Sequence, residues 1–466
     1  MTTVAPPASA RSPDARAAYE QRKGRLLAEY AALPTGAPVR LGKRTSNLFR
    51  TRRRPAARLD VSGFDGVLAV DPERRTADVQ GMTTYEHLVD ATLAHGLMPL
   101  VVPQLKTITI GGAVAGLGIE ASSFRNGLPH ESVLELEMLA GDGRVVTARP
   151  DNEHRDLFFG FPNSYGTLGY TLRLEIALEP VKPYVHLRHL HFGDRAELFA
   201  ATEEVCARGE HHGEAVDFVD GTVFGPGEMY LTLGTFVDAA RRTSDYTGMK
   251  IYYRSLQRRR EDHLSVRDYL WRWDTDWFWC SRAFGVQHPR VRRLVPKRWL
   301  RSSTYWRIVE LERRYRPRER LERLRARPPW EHVVQDVEIP IERAASFFDF
   351  FVREVPISPF WICPLRQRDP SVRWELYTLD PGTLYVNFGF WSTVLLADGE
   401  ADGTHNRRIE QVVEELGGHK SLYSTAFYDR NEFWRVYNGT SYAELKRRYD
   451  PNGRLLDLYE KCVERG

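Results

Sequence analysis

The chain has 466 residues and a mass of 53.7 kDa, a length that predicts two or three domains. Its 42% apolar and 27% charged residues are typical of a globular protein with a sizeable core, and the net charge of +4 excludes a polycation. The absence of an apolar run as long as a membrane span, of a signal-peptide core and of paired cysteines predicts a cytoplasmic protein without disulfides or a bound metal.

Up to residue 181, short helices and strands interleave along the chain. The pattern predicts a helix from Asp14 to about Ala32, a hairpin over 67–80, a helix and a short strand over 83–103, a strand pair around an Asp-Gly turn over 131–150, and a helix, a glycine turn and a long alternating strand over 155–178. Because these elements do not alternate as regularly as in a doubly wound sheet, we predict an α+β fold.

The second part of the chain begins near the prolines at 180 and 183 and has a similar mixture of elements. The pattern predicts a helix over 195–208, strands near 229–235 and over 332–342, a helix over 343–355, strands over 359–366 and 384–392, and a helical tail. We find no internal repeat, so the two parts are expected to differ in structure.

Two glycine-rich segments are the first candidates for a binding site. Gly111, Gly112, Gly116 and Gly118 lie close together, and a second turn reads SYGTLG over 164–169. Glycines at this density let the backbone approach a ligand and point N–H groups at an anion such as a pyrophosphate. The first segment matches neither a Walker A loop nor the Rossmann fingerprint, so a packing turn remains an alternative.

Several motifs occur in an order that carries a family resemblance. They are the glycine segment, ESVLELEMLAGDG, DLF, SYGTLGY, QDVEIP and RYDP. In this order they resemble the FAD-linked oxidoreductases of the vanillyl-alcohol-oxidase and p-cresol-methylhydroxylase type. The stretches GLGIEASSFRNGLPHE, PFWICPLR and AFYDRNEFWRVYNGTSYAELKRRY resemble more narrowly the sterol side-chain reductase branch. That branch includes bacterial flavoproteins that reduce a methylene-branched fatty acyl chain, as in tuberculostearic acid formation.

The resemblance implies a domain organisation and a set of cofactor contacts. It implies an N-terminal extension and helix (1–37), a two-subdomain FAD-binding domain (38–181), an α+β substrate or cap domain (182–445), and a tail that returns to the FAD domain (446–466). FAD contacts are expected at Arg44, Thr45, Ser46, Asn47, Ile110, Gly111, Gly112, Gly116, Gly118, Ser122, Ser123, Gly166, Thr167, Gly169, Lys446 and Arg448. Because the first loop has no histidine, we expect non-covalent FAD, with NADPH as the electron donor.

The implied chemistry requires an acid and a surface that tolerates a cation. Protonation of a suitable C=C bond gives a tertiary cation, which then accepts a hydride. We name Glu120 as the first candidate for the acid, followed by Cys363 and Asp336, and hydrogen bonding to the flavin is an alternative role for Glu120. Aromatic faces stabilise cations. The candidates for a substrate wall, which alternatively form core, are Phe360, Trp361, Phe388, Phe390 and Trp391.

We therefore expect an FAD-dependent oxidoreductase that acts on CH–CH bonds and converts a 10-methylene fatty acyl chain, on a phospholipid, to the 10-methyl chain. The alternatives are a sterol or isoprenoid alkene reductase, an alcohol or sugar oxidase that uses O₂, and a lipid-binding protein with a vestigial flavin fold. The expected partners are the methylene-branched phospholipid and a methyltransferase that forms it. Nucleic acid is not expected as a partner.

The segment 251–330 is strongly basic, whereas the rest of the chain is acidic. It holds 22 Lys or Arg and 9 Asp or Glu residues, hence a charge of +13, which leaves −9 for the rest of the chain. Tryptophan beside arginine is typical of membrane-interface surfaces, so we expect peripheral contact with the inner face of the membrane. The alternatives are a solvated helix over 312–328 and an aromatic lining of a substrate tunnel.

Overall fold

The computed structural model describes residues 13–34, 36–43, 49–50, 57–315 and 329–464. Within these ranges, no helix is both long enough and apolar enough to cross a membrane. The helices begin and end at the following residues: α1 (Pro13–Ala31), α2 (Tyr85–Leu93), α3 (Ile110–Ala115), α4 (Ser123–Asn126), α5 (Arg155–Gly160), α6 (Arg195–Arg208), α7 (Tyr252–Leu256), α8 (Val266–Leu270), α9 (Pro289–Leu294), α10 (Ser302–Tyr315), α11 (Ile341–Glu354), α12 (Thr404–Glu415), α13 (Arg430–Val436), α14 (Gly439–Tyr449) and α15 (Leu458–Cys462).

The first sheet has six antiparallel strands between residues 67 and 180. A separate parallel pair, β1 (Val39–Leu41) and β2 (Ala57–Leu59), precedes it. The strands of the sheet are β3 (Val67–Asp71), β4 (Thr76–Gln80), β5 (Leu97–Pro99), β6 (Val133–Ala140), β7 (Val145–Ala148) and β8 (Gly169–Pro180). Their order is β3-β4-β8-β6-β7, and β5 also pairs with β8. Since β8 lies between β4 and β6, most of its residues are buried.

The second sheet has eight antiparallel strands between residues 184 and 420. Its strands are β9 (Tyr184–Phe192), β12 (Phe218–Gly225), β13 (Glu228–Val237), β14 (Glu261–Ser265), β15 (Trp330–Pro340), β16 (Phe360–Leu365), β17 (Tyr385–Leu395) and β18 (His419–Lys420), and a short hairpin of β10 (Glu210–His211) and β11 (Glu214–Ala215) stands apart. Their order is β14-β9-β13-β12-β16-β17-β15-β18.

Helices cover one face of the second sheet. The helices α6, α11 and α12 contact its strands, and α6 is delimited by the N-cap Asp194 and by Gly209 with a φ of 66°. The ring of Phe347 in α11 lies 4.7 Å from that of Phe388, and the ring of Phe351 lies 4.5 Å from that of Phe390. The apolar alternation of β17 therefore buries one set of side chains under the helices and leaves the other set facing away from them.

The α+β class predicted from the sequence is confirmed. The predicted helix over 195–208 has the predicted bounds, and the strands predicted over 332–342, 359–366 and 384–392 appear as β15, β16 and β17. The sequence reading did not identify β9, β12 or β14, so it missed the extent of the second sheet. The first sheet ends at Pro180 and the second begins at Tyr184, while the finer domain boundaries stay predictions.

Candidate functional site

A cavity of about 340 Å³ is lined by residues of both sheets, a volume in the range of small-molecule sites. One side, here called the glycine wall, consists of Gly111, Gly112, Gly116, Gly118, Gly166 and Gly169. The other side, here called the side-chain wall, consists of Trp277, Phe278, Asp336, Trp361 and Trp391. The structure thus brings the two predicted glycine segments together with part of the predicted substrate wall.

The first half of the glycine wall, Gly111 to Gly118, is held by close backbone packing. Thr109 caps α3, and its hydroxyl accepts a hydrogen bond from the Gly112 N–H at 3.2 Å. The Ile110 and Gly111 N–H groups donate to the carbonyls of Thr83 and Gly81, at 2.9 Å each. A Cβ atom at position 111 would lie 2.6 Å from the Gly81 carbonyl oxygen. The glycines therefore permit close approach, while these N–H groups are already satisfied within the protein.

The second half of the glycine wall, Gly166 and Gly169, uses backbone conformations that favour glycine. Gly166 has a φ of 74°, and Gly169 has a φ of 159°. A Cβ atom at Gly169 would lie 2.2 Å from the Met138 side chain. In the first half of the wall, a Cβ atom at Gly116 would lie 3.0 Å from the Tyr165 ring. Larger residues at these positions would collide with neighbours or narrow the cavity.

Several predicted cofactor contacts lie away from the cavity. The Ser122 hydroxyl donates to the Leu100 carbonyl at 2.8 Å, and the Ser123 hydroxyl accepts the Glu120 N–H at 3.1 Å. The Thr167 hydroxyl donates to the Ser164 carbonyl at 2.7 Å. These hydroxyls are buried and serve local turns, and the three residues do not line the cavity, so their contact with the cofactor stays a prediction. The Ile110 side chain lies in the core, whereas its neighbour Gly111 lines the cavity.

The C-terminal tail reaches the cavity through residues other than those predicted. Lys446 donates to the Thr167 and Leu455 carbonyls at 2.8 Å each, and Arg448 pairs with Asp156 at 2.8 Å near the surface. Neither residue lines the cavity, so their contact with the cofactor stays a prediction. The tail instead lines the cavity with Leu456, which lies between α14 and α15, and with Lys461 of α15.

The described lining has the charge and hydrogen-bonding capacity that a dinucleotide diphosphate requires. Its basic residues are Arg40, Lys43, Arg50 and Lys461, against the single carboxylate of Asp336. Four buried polar atoms of the lining have no hydrogen-bond partner in the described part of the protein, namely Arg40 Nε, Gln104 Oε1, Tyr165 Oη and Thr171 Oγ1. Together with the glycine wall, these groups fit FAD. The predicted first loop, Arg44, Thr45, Ser46 and Asn47, lies outside the described residues.

The aromatic end of the cavity comes from two strands and from the basic segment. The Phe278 ring lies 4.4 Å from the Trp391 ring and 5.7 Å from the Trp361 ring. The predicted wall is wrong for Phe360, Phe388 and Phe390, which pack under the helices on the opposite face of the second sheet. A strand points successive side chains to opposite faces, so only Trp361 and Trp391 reach the cavity.

Asp336 is the carboxylic acid of the described cavity lining. Its Oδ1 accepts a hydrogen bond from Asn387 Nδ2 at 3.0 Å, and the Tyr423 hydroxyl also bonds to it. Trp391 Nε1 donates to the same Tyr423 hydroxyl at 2.8 Å. Gly389 faces Asp336 in the strand register, where a Cβ atom would lie 2.5 Å from Oδ1. Desolvation by the surrounding protein raises the pKa of Asp336 to about 6 despite these hydrogen bonds.

Glu120 lies behind the cavity lining in a buried ionic network. Its Oε1 accepts a hydrogen bond from Gln104 Nε2 at 2.8 Å and lies 3.4 Å from Arg272 Nη2. Arg272 Nη2 also pairs with Asp220 at 2.9 Å, and Asp220 accepts a hydrogen bond from Trp361 Nε1 at 3.1 Å. Burial raises the pKa of Glu120 to about 7, and Arg272 opposes this shift. The network supports the cavity from behind, since neither Glu120 nor Asp220 lines it.

Cys363 is a further predicted catalytic residue that the structure places off the cavity. It is fully buried, and its Sγ lies 3.7 Å from the Val219 carbonyl. Burial raises the pKa of its thiol well above the usual value. A thiol in this position is an inert core group, so its predicted role as an acid is corrected.

Sequence reasoning missed functional residues that come from distant parts of the chain. Arg272 bridges Glu120 and Asp220, which lie 152 and 52 residues away along the chain, and Tyr423 reaches Asp336 from the segment after β18. No local motif surrounds them. The composition WRWDTDWFWC over 271–280 signals a special segment, and its tryptophans at 271, 273, 277 and 279 are buried. Of these four, Trp277 lines the cavity, which favours the tunnel-lining alternative for that side chain, and the other three pack in the core.

Comparisons with known proteins agree with this geometry. A family model described as FAD binding domain matches residues 31–149. The chain is 26% identical over 459 residues to the Delta(24)-sterol reductase of Arabidopsis thaliana, and the aligned region covers 91% of this chain and 79% of that protein. It is 26% identical over 420 residues to the Delta(24)-sterol reductase of Homo sapiens, with 85% and 76% covered. Cytokinin dehydrogenase 6 of Oryza sativa subsp. japonica is 33% identical over 146 residues, with 31% and 27% covered.

These findings establish the cofactor and the broad class of activity. The chain has an FAD-binding domain of the p-cresol-methylhydroxylase type, and it is an FAD-dependent oxidoreductase. The matched residues 31–149 contain the first half of the glycine wall, whereas the side-chain wall lies beyond them. The alternative of a lipid-binding protein with a vestigial flavin fold is therefore set aside.

Proposed function

We propose that this oxidoreductase uses NADPH to reduce a C=C bond in the chain of a lipid, and that its substrate is a 10-methylene fatty acyl chain of a phospholipid. The observation that carries the proposal is Asp336, a carboxylic acid with a raised pKa that lines a cofactor-sized cavity beside the faces of Trp361 and Trp391. An acid next to aromatic faces suits an alkene that must be protonated before it accepts a hydride.

The proposed role of Asp336 is to donate the proton. The π electron pair of the C=C bond takes the proton from the carboxyl oxygen, and the more substituted carbon becomes a tertiary cation. Asn387 and Tyr423 hydrogen bond to Asp336 and stabilise the carboxylate that remains. FAD, when bound, supplies the hydride that completes the saturated chain, at the expense of NADPH. A solvent proton then restores the acid.

The aromatic residues have a separate role in the proposal. Trp391 and Phe278 lie in contact at the end of the cavity, and Trp361 is buried beside them. Their faces attract a cation through the ring quadrupole, and they exclude water that would otherwise add to it. The Tyr423 hydroxyl, which accepts a hydrogen bond from Trp391, links the aromatic face to the proton donor.

A sterol side-chain alkene is the second candidate substrate. The names of the relatives from Arabidopsis thaliana and Homo sapiens favour it, and an alkene of this kind also gives a tertiary cation. The stretches GLGIEASSFRNGLPHE and PFWICPLR resemble the sterol side-chain reductase branch, which includes the bacterial flavoproteins that reduce a methylene-branched acyl chain, so they fit both candidates. Both candidates use the same acid and the same aromatic faces.

Lipid analysis of cells that express the chain beside a methylene-forming methyltransferase tests the proposal. We expect branched acyl chains that have gained two hydrogens, while a control with the methyltransferase alone keeps the methylene. With purified protein, NADPH should bleach the flavin absorbance without air, and candidate alcohols should not. Unchanged methylene chains together with reduction of a supplied sterol alkene would favour the second candidate. Bleaching by an alcohol with rapid reoxidation by O₂ would replace the reductase with an oxidase.

A further inference from the structure

Exposed apolar side chains concentrate in one part of the described chain. The residues that the structure describes include eight exposed large apolar side chains, and six of these lie between positions 249 and 311. These six are Met249, Val291, Leu294, Trp299, Ile308 and Leu311. Leu294 is 82% exposed and Trp299 is 53% exposed, values far from those of the buried tryptophans in the same segment. Such clustering marks an interaction surface, since single exposed apolar residues are normally scattered.

The spacing of these residues places them on the outer faces of two helices. Val291 and Leu294 are three residues apart on α9, and Ile308 and Leu311 are three residues apart on α10. Residues at this spacing share one helix face. Trp299 lies in the short connection between the helices. Val291, Leu294, Trp299, Ile308 and Leu311 are here called the outer surface.

Basic side chains accompany the outer surface. Residues 282–311 contain eight Lys or Arg residues and one acidic residue, Glu310. Arg290, Arg293, Arg298 and Arg307 are exposed, in contrast to Arg292, whose buried guanidinium pairs with Asp276. The four exposed arginines therefore leave a dense positive charge beside the apolar residues.

The inner face of α10 connects the outer surface to the candidate site. Tyr305 is buried and stacks on Phe284 at 5.6 Å. The Trp306 ring lies 5.2 Å from the Phe49 ring and 6.2 Å from the Trp277 ring, and both Phe49 and Trp277 line the cavity. The helix that carries Ile308 and Leu311 outward thus packs directly behind the aromatic end of the cavity.

We propose that the outer surface binds the headgroup region of an anionic lipid bilayer. Arginines meet lipid phosphates, tryptophan suits the depth of the headgroups, and leucine and isoleucine insert just below them. A second copy of the chain is a poor fit because it would bring like charges together. The choice of a lipid surface rests on the proposed function, in which the substrate is part of a lipid. The short path from α10 to the cavity would then let the enzyme take its substrate from the bilayer.

Co-sedimentation of the flavin-loaded protein with vesicles tests this surface. We compare vesicles of phosphatidylcholine with vesicles that also contain phosphatidylglycerol. The wild type should bind the anionic vesicles more tightly, and added salt should weaken this binding. Replacing Leu294 and Leu311 by Ser should weaken binding to the anionic vesicles by roughly a hundredfold or more, since each buried leucine side chain contributes about 1.5–3 kcal/mol. The variant R290Q/R293Q should weaken this binding by roughly thirtyfold, at about 1 kcal/mol per charge.

Leu395 provides the matched control because it is a 64% exposed leucine outside this segment. The variant L395S should bind vesicles as the wild type does. Equal binding of L294S/L311S and the wild type would overturn the proposal, as would no preference for anionic vesicles. Concentration-dependent dimers that L294S/L311S abolishes, without vesicle binding, would assign the surface to a second copy and also overturn it. Turnover of detergent-dispersed substrate tests the proposed function separately, because it does not require the outer surface.

Discussion

The two walls of the cavity are built on opposite principles. The glycine wall depends on side chains that are missing, since a Cβ atom at Gly111 would lie 2.6 Å from a backbone oxygen. The side-chain wall depends on functional groups that are present, above all the Asp336 carboxyl and the Trp391 ring. The first half of the glycine wall lies within the matched FAD-binding domain, and the side-chain wall does not. We infer that the first wall holds the cofactor and that the second selects the chemistry.

The largest effect is expected from an added atom in the glycine wall. In G111A the new methyl group meets the Gly81 carbonyl oxygen at 2.6 Å and Thr171 Cβ at 3.0 Å, so α3 must move away from the first sheet. We expect purified G111A to lose its bound flavin and therefore all turnover. The ratio of flavin absorbance to protein absorbance measures this loss. The matched control is G193A, where no atom lies within 4 Å. Full flavin occupancy in G111A would contradict the role of this wall.

The next largest effect is expected at the proton donor. D336N keeps the shape of the side chain but removes its acidic proton, so we expect turnover to fall by about 10²–10⁴-fold. Flavin content and the rate of flavin reduction by NADPH should be unchanged, which separates this variant from G111A. The control is E338Q, which removes another buried carboxyl on the same strand, two residues further along and outside the cavity lining. Wild-type turnover in D336N would remove Asp336 from the mechanism.

The pH dependence of the wild type gives the same assignment a second test. The donor must carry its proton, and the pKa of Asp336 is raised to about 6 by desolvation. The rate of the protonation step should therefore be highest below this value and should fall as the pH rises through it. Single-turnover reduction of the alkene, followed from pH 5 to pH 8, measures this decrease in rate. In D336N the rate should not show this pH dependence.

Local signals explain what could be read from the sequence. The helix over 195–208 has a capping Asp194 and a terminal Gly209, and the strand pair over 131–150 has an Asp-Gly turn. The glycine segments stand out because such a density of glycines is unusual in a sequence. Such features depend on neighbours in the chain, and they sufficed for the α+β class and for one wall of the cavity.

Side-chain direction could not be read in the same way. The alternation in PFWICPLR and LYVNFGFWS shows that these strands have two faces, but it does not show which face the helices cover. The ion pairs of Arg272 likewise join positions that are distant along the chain. The sequence therefore names Glu120 ahead of Asp336 as the acid, whereas the tertiary fold places Arg272 beside Glu120 and puts Asp336 on the cavity.

A moderate effect is expected from the aromatic face. In W391L the cavity keeps an apolar side chain but loses the ring that faces the cation, so turnover should fall by about 2–30-fold, in line with about 0.5–2 kcal/mol. The control F388L lies three residues earlier on β17, on the opposite face, against Phe347 of α11. We expect F388L to lower the melting temperature and to leave turnover near the wild-type rate. Equal losses of turnover in both variants would contradict the division of the strand into two faces.

The smallest effect on turnover is expected at Glu120. E120Q removes one carboxylate from the buried network, but Arg272 keeps Asp220 at 2.9 Å, and the new amide oxygen still accepts the hydrogen bond from Gln104. The free energy of unfolding should fall by about 1–3 kcal/mol, measured by denaturant titration. Turnover should remain near the wild-type value, because the proton comes from the opposite wall. If E120Q kept its flavin but lost as much turnover as D336N, Glu120 would be the proton donor instead. The inference that the glycine wall holds the cofactor while the side-chain wall selects the chemistry would then be wrong.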